Sequence, residues 1–273
     1  MRFSAKLEAA WKNNDSLVCV GLDPDLGKLP AHLRGRRNAL FEFNKGIVDA
    51  TADIVCAYKP QAAYYAGQDA DEDLALTLAY IRERAPQVPV ILDAKRGDIG
   101  STAELYAREA FVRHQADAVT VNPYMGGDTL KPFLDYADRG VIVLCRTSNP
   151  GSGDFQMLDV GGGRRLYELV AEKAAREWNT HGNVALVVGA TYPAELAAVR
   201  RIMGDMPLLV PGVGAQGGDA GQVVRNGRNA QGTGLIINSS RAIIYAGKGE
   251  DYAVAARQAT LALRDQLNAC RRA

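Results

Sequence analysis

The sequence predicts an α/β protein, a single (β/α)8 TIM barrel occupying residues 1–273. Three observations carry this reading. Short apolar runs alternate with longer helical patterns from one end of the chain to the other. Eight such runs can be placed, which closes a barrel, whereas an open doubly wound sheet usually stops at about five to seven strands. Charged residues gather where the runs end.

The runs lie at 17–22, 54–58, 88–92, 118–121, 141–145, 184–188, 208–210 and 235–237. They are continuous rather than alternating, as expected for parallel strands covered on both faces. Between them apolar residues recur at helical spacing, for example Leu74, Leu76, Leu78 and Ile81, then Leu166, Leu169, Val170 and Ala174, and finally through 252–267. No low-complexity linker divides the chain, so one domain is expected. Two segments break the alternation, 146–163 and the glycine-rich 211–221. Long loops in compact domains tend to carry function.

Composition narrows the partners. With 32 Lys plus Arg against 31 Asp plus Glu, the net charge of +1 provides no broad basic face for nucleic acid. A small anion needs only a few residues and stays open. No stretch approaches the roughly 20 apolar residues of a membrane span, and the opening Met1-Arg2-Phe3-Ser4-Ala5-Lys6 has no signal-like apolar run, so a cytoplasmic location is expected. Cys19, Cys56, Cys145 and Cys270 lack CxxC spacing, and the first three sit in apolar runs as small hydrophobes. Three scattered histidines, His32, His114 and His181, argue against a histidine-rich metal site. Trp11 and Trp178 lie on helical patterns and read as packing groups.

In such a barrel the active site forms at the C-terminal ends of the strands. Those ends carry Asp23, Lys59, Asp93 with Lys95, Ser148, the glycines of 212–218, and Arg241. In Leu92-Asp93-Ala94-Lys95-Arg96-Gly97-Asp98, alternation along a strand sends Asp93 and Lys95 to one side, toward the mouth. A lysine flanked by carboxylates favours its ammonium form. That makes a poor nucleophile and a well-placed proton donor. A carboxylate beside the reacting group can also repel a substrate carboxylate, a strain relieved when CO2 departs. An isolated D-x-K is equally compatible with a structural ion pair. Pro211-Gly212-Val213-Gly214-Ala215-Gln216-Gly217-Gly218 lets backbone N–H groups converge on an anion, and Asn238-Ser239-Ser240-Arg241 supplies a guanidinium for bidentate phosphate binding. A glycine-rich loop alone is often only a turn; an arginine at the neighbouring strand end favours phosphate.

D-x-K-x-x-D after the third run, P-G-V-G-A-Q-G-G-D after the seventh, and S-R after the eighth resemble the orotidine 5'-phosphate decarboxylase family. The form Asp93-Ala94-Lys95-Arg96-Gly97-Asp98-Ile99-Gly100-Ser101-Thr102 is similar to its longer bacterial, type 2 branch, and the likeness runs in order from Gly21 to Arg241. The resemblance implies a cofactor-free carboxy-lyase of pyrimidine biosynthesis without a metal, acting on a small nucleotide as a homodimer with shared active sites. It implies that Lys95 protonates C6 of the pyrimidine and that Asp93 faces the departing carboxylate. Asp98 and Thr102 would reach the partner subunit's site. Asp23 and Lys59 would hold ribose hydroxyls, and Ser148 the ring. Gln216 would bridge phosphate and base, while Arg241 and the backbone at Ser240 clamp the phosphate. Short family members have glycine where Ser240 stands, which puts close approach of the phosphate in question.

Three rival readings remain at this level. A magnesium-dependent sugar-phosphate relative would need a carboxylate after the second strand, where Tyr58-Lys59-Pro60 stands instead. A Schiff-base lyase would need a neutral amine, which two neighbouring carboxylates oppose. A non-catalytic nucleotide-phosphate binder would have no use for Lys95 between Asp93 and Asp98.

Overall fold

The computed structural model describes residues 1–213 and 218–272. Eight parallel strands form one sheet: β1 Val18–Leu22, β2 Ala57–Pro60, β3 Ile91–Arg96, β4 Ala118–Val121, β5 Gly140–Arg146, β6 Val184–Val188, β7 Leu208–Pro211 and β8 Leu235–Ser239. Their order is β2-β1-β8-β7-β6-β5-β4-β3. The two outer strands meet through the bridges Tyr58↔Val90 and Gln61↔Asp93, which close the cylinder. Helices lie between successive strands, so this is the expected (β/α)8 barrel.

The strands are buried because both faces are covered. All five residues of β1 and β6 are buried, and the Val, Ile and Leu side chains of β4 through β8 fill or pack against the same core. The helix Ala39–Thr51 buries Leu40, Phe43, Ile47 and Val48, the spacing of one helical face. Against it packs the last helix, Tyr252–Arg272, whose Tyr252 ring stacks on Phe43 at 4.9 Å. The first helix, Phe3–Asn13, closes the N-terminal end of the barrel. Phe3 covers the start of β5 at Gly140, where any side chain would overlap its ring, and Trp11 donates from Nε1 to the Leu235 carbonyl at 2.9 Å. Lys6 pairs with Asp117 at 2.8 Å. Trp11 is buried and Trp178 half-buried against the core, as expected of packing groups.

Two strands sit about three residues later than the apolar runs suggest. Ile54, Val55, Cys56, Val88 and Val90 are fully buried, but they lead into β2 and β3 rather than forming their ladders. The true strands continue through Lys59-Pro60 and Asp93-Ala94-Lys95-Arg96, polar ends that a search for apolar runs passes over. The segment 146–163 is less irregular than expected, with short helical turns at Pro150–Ser152 and Gly153–Gln156. Cys19, Cys56 and Cys145 are buried and unpaired. Among the described residues no helix is long and apolar enough to cross a membrane.

Candidate active site

Asp93 is the centre of the mouth. Its Oδ2 accepts from Lys59 Nζ at 2.8 Å and from Gln61 Nε2 at 3.1 Å. Its Oδ1 accepts from Lys95 Nζ at 2.7 Å and from Thr120 Oγ1 at 2.8 Å. Lys59 also faces Asp23 at 3.8 Å. Thus β1, β2, β3 and β4 each deliver a polar group to one point at their C-terminal ends.

The pairing of Lys95 with Asp93 agrees with expectation, but regular alternation is not its cause. Leu92 aligns with Val119 and Arg96 with Val121, so four steps of β3 stand against two of β4. This bulge turns Lys95 into the left-handed region at φ 48°, a conformation that is costly for a residue with a Cβ. Thr120 Oγ1 accepts the Lys95 backbone N–H at 2.9 Å, replacing the lost ladder bond.

Burial sets the electrostatics. Lys59 is 4% exposed and Asp93 7%. Burial by itself raises the Asp93 carboxyl, but Lys59 and Lys95, by charge and then by hydrogen bond, outweigh it and hold it far below the carboxylate range. Burial likewise pulls Lys59 down, and Asp23 and Asp93 more than restore it, leaving it above the ordinary lysine value. Asp93 is therefore an anion and Lys59 a cation at neutral pH. The Lys95 side chain is 45% exposed, with its ammonium at the open side of the cluster. Cys19, beneath Lys59, is pushed up to about 12 by burial and is no nucleophile.

Two cavities meet at Lys95. One, of about 350 Å³, is lined by Asp23, Lys59, Asn238, Ser240 and Arg241 beside Asp93 and Lys95. The other, of about 470 Å³, is lined by Leu144, Thr147, Ser148, Phe155 and Gln156, and shares Lys95, Val187 and Pro211 with the first. Gly189 lets Ser148 approach the end of β6, because a side chain there would overlap Ser148. Gly21 serves Ser240 similarly. A Cβ at Gly21 would coincide with the Ser240 hydroxyl, which accepts from Asn238 Nδ2 at 3.3 Å. Gly21 thus leaves room for the Ser240 side chain. A larger cleft of about 930 Å³ lies at the opposite end of the barrel, away from this cluster.

Asp23, Lys59, Asp93, Lys95, Ser240 and Arg241 therefore line one cavity, and Ser148 lines the adjoining one that shares Lys95. Asp98 and Thr102 do not join either within the subunit. The Asp98 carboxylate accepts only its neighbour's Ile99 N–H and pairs with no cation among the described residues; Thr102 is exposed. Gln216 lies outside the described residues. Gln61, Thr120 and Asn238 belong to the site and escape a search for charged strand ends. Thr120 could have been found as the one polar residue inside Ala118-Val119-Thr120-Val121. Among the described residues no group of three or more His, Cys, Asp or Glu could hold a metal ion.

Fold and site define a (β/α)8 barrel with alternating lysines and carboxylates at its mouth, built to act on a small anionic molecule. The chain belongs to the orotidine 5'-phosphate decarboxylase / HUMPS family, whose model matches residues 16–258. It is 63% identical over 268 residues to the orotidine 5'-phosphate decarboxylase of Dechloromonas aromatica, covering 98% of this chain and 99% of that one. The enzyme of the same name from Azoarcus sp. is 62% identical, covering 99% and 100%. Among solved structures, Leishmania donovani OMP decarboxylase superposes with a TM-score of 0.87 at 41% identity over the full length of both chains.

Proposed function

We propose that this chain decarboxylates orotidine 5'-phosphate to uridine 5'-phosphate in pyrimidine biosynthesis. The observation that carries the reading is the Asp93 carboxylate held between the Lys59 and Lys95 ammonium groups at the floor of a cavity. A substrate carboxylate set against ionised Asp93 is repelled, and the repulsion ends as the C6–carboxyl bond breaks and CO2 leaves. The bonding pair stays on C6. The Lys95 ammonium stabilises that charge and then gives C6 its proton, to be reprotonated from solvent. Asp23 and Asp93 face ammonium groups, a setting that repels a divalent cation, so the reaction is assigned neither metal nor cofactor.

Asp23 and Lys59 hold the ribose hydroxyls in this reading, and Ser148 the pyrimidine. Gln216, Ser240 and Arg241 take the phosphate, whose binding energy supports the strain at the far end of the substrate. Asp98 and Thr102 serve a second copy of the chain. What supports this is their absence from their own site, together with the exposed apolar side chains Ile99, Leu105 and Met125 around them. The dimer is assigned to the cytoplasm, in keeping with three buried, unpaired cysteines.

The test is loss of orotidylate absorbance with purified protein. Wild type should turn over equally with and without a chelator. Lys95→Ala should lose turnover by several orders of magnitude while keeping its circular dichroism spectrum. Near-normal activity in Lys95→Ala would overturn the assignment.

A further inference from the structure

We propose that Thr120 is a positioning residue that fixes both the Lys95 backbone and the carboxylate its ammonium faces. The inference rests on the decarboxylase reading and deepens it. Thr120 is 1% exposed and sits on β4, between the apolar Val119 and Val121. Its single hydroxyl does two things at once. It donates its only proton to Asp93 Oδ1 at 2.8 Å, and it accepts the backbone N–H of Lys95 at 2.9 Å.

Those two bonds secure the two least stable features of the mouth. Lys95 holds a left-handed φ of 48° inside a bulge, where no strand ladder restrains it. Without the threonine oxygen its N–H would have no partner there, and the backbone could relax toward a more common conformation. Asp93 Oδ1 is shared between Lys95 Nζ and Thr120 Oγ1, so the hydroxyl also limits rotation of the carboxylate about its bond to Cβ. Proton transfer depends steeply on donor–acceptor geometry, and a displacement of about 1 Å can cost about a hundredfold in rate. Thr120 lines the same cavity, with its hydroxyl turned to these two groups.

Thr120→Val keeps the shape and removes the hydroxyl. It should lower kcat about tenfold or more, by the worth of one to two hydrogen bonds, and leave KM within about threefold. Thr120→Ser restores the hydroxyl and should recover at least about half of kcat. Thr120→Cys, with a thiol that bonds weakly, should resemble the valine variant and gives the same comparison should valine fail to fold. The idea is overturned if valine or cysteine matches wild type, or if serine is as impaired as they are, since side-chain volume would then be the cause. Wild type assayed alongside separates the two claims. If it fails to turn over orotidylate, the decarboxylase reading falls and takes this inference with it; if it turns over and only the variants disagree, this inference falls alone.

Discussion

A carboxylate buried to 7% exposure needs its donors, and Asp93 has four. The sign of its pH dependence follows. Its folded value lies below the unfolded one of about 3.9, so the stabilisation is complete above about pH 4 and is lost as pH falls toward the folded value. Lys59 is shifted upward, so its contribution is complete below about pH 10 and is lost only as pH rises beyond that. Urea unfolding of wild type and Asp93→Asn should therefore differ by a constant amount from about pH 5 to 9, and the difference should shrink below about pH 4. A difference undiminished at pH 2 would contradict the assigned charge state. At this scale the sequence made the charged groups visible, because Asp23, Lys59, Asp93, Lys95 and Arg241 end apolar runs. Gln61, Thr120 and Asn238 were hidden because an uncharged side chain on a strand is read as filler until its partners are known.

Among the elements, all eight strands announce themselves by apolar runs, and six of them both begin and end within about two residues of expectation. β2 and β3 are displaced because burial and ladder pairing part company there. Apolar residues fill the approach, while the hydrogen-bonded stretch carries the polar groups of the site. The bulge in β3 left no trace in the residue pattern, since no glycine marks the left-handed position at Lys95. At the other end of the barrel, the helix Phe3–Asn13 is a floor rather than part of the site. Trp11→Phe should remove the bond to the Leu235 carbonyl and lower stability by about 1–3 kcal/mol in chemical denaturation. Its kcat should stay at the wild-type level, and a fall in kcat without a loss of stability would show that floor and mouth communicate.

For the whole molecule, the single subunit leaves Asp98 and Thr102 outside the cavity that holds Lys95. If a second copy uses them, Lys95→Ala and Asp98→Ala should complement each other. A mixed dimer has one site with both defects and one that is intact. Random exchange makes half the dimers mixed, so about a quarter of full activity should return, as a closed two-fold assembly requires. Sedimentation would establish the dimer and its exchange; no recovery after proven exchange would refute the shared site. The closure of the barrel has a last consequence. β2 and β3 are joined by isolated bridges rather than a continuous ladder, and one of those bridges is Gln61↔Asp93. At that joint Asp93 also binds Lys59 and Gln61 of the segment opposite, so one carboxylate serves as the clasp of the cylinder as well as a group of the site. Chemistry and closure cannot be varied independently at this residue: any replacement that retunes the charge beside Lys95 also loosens the seam that holds Lys59 in place.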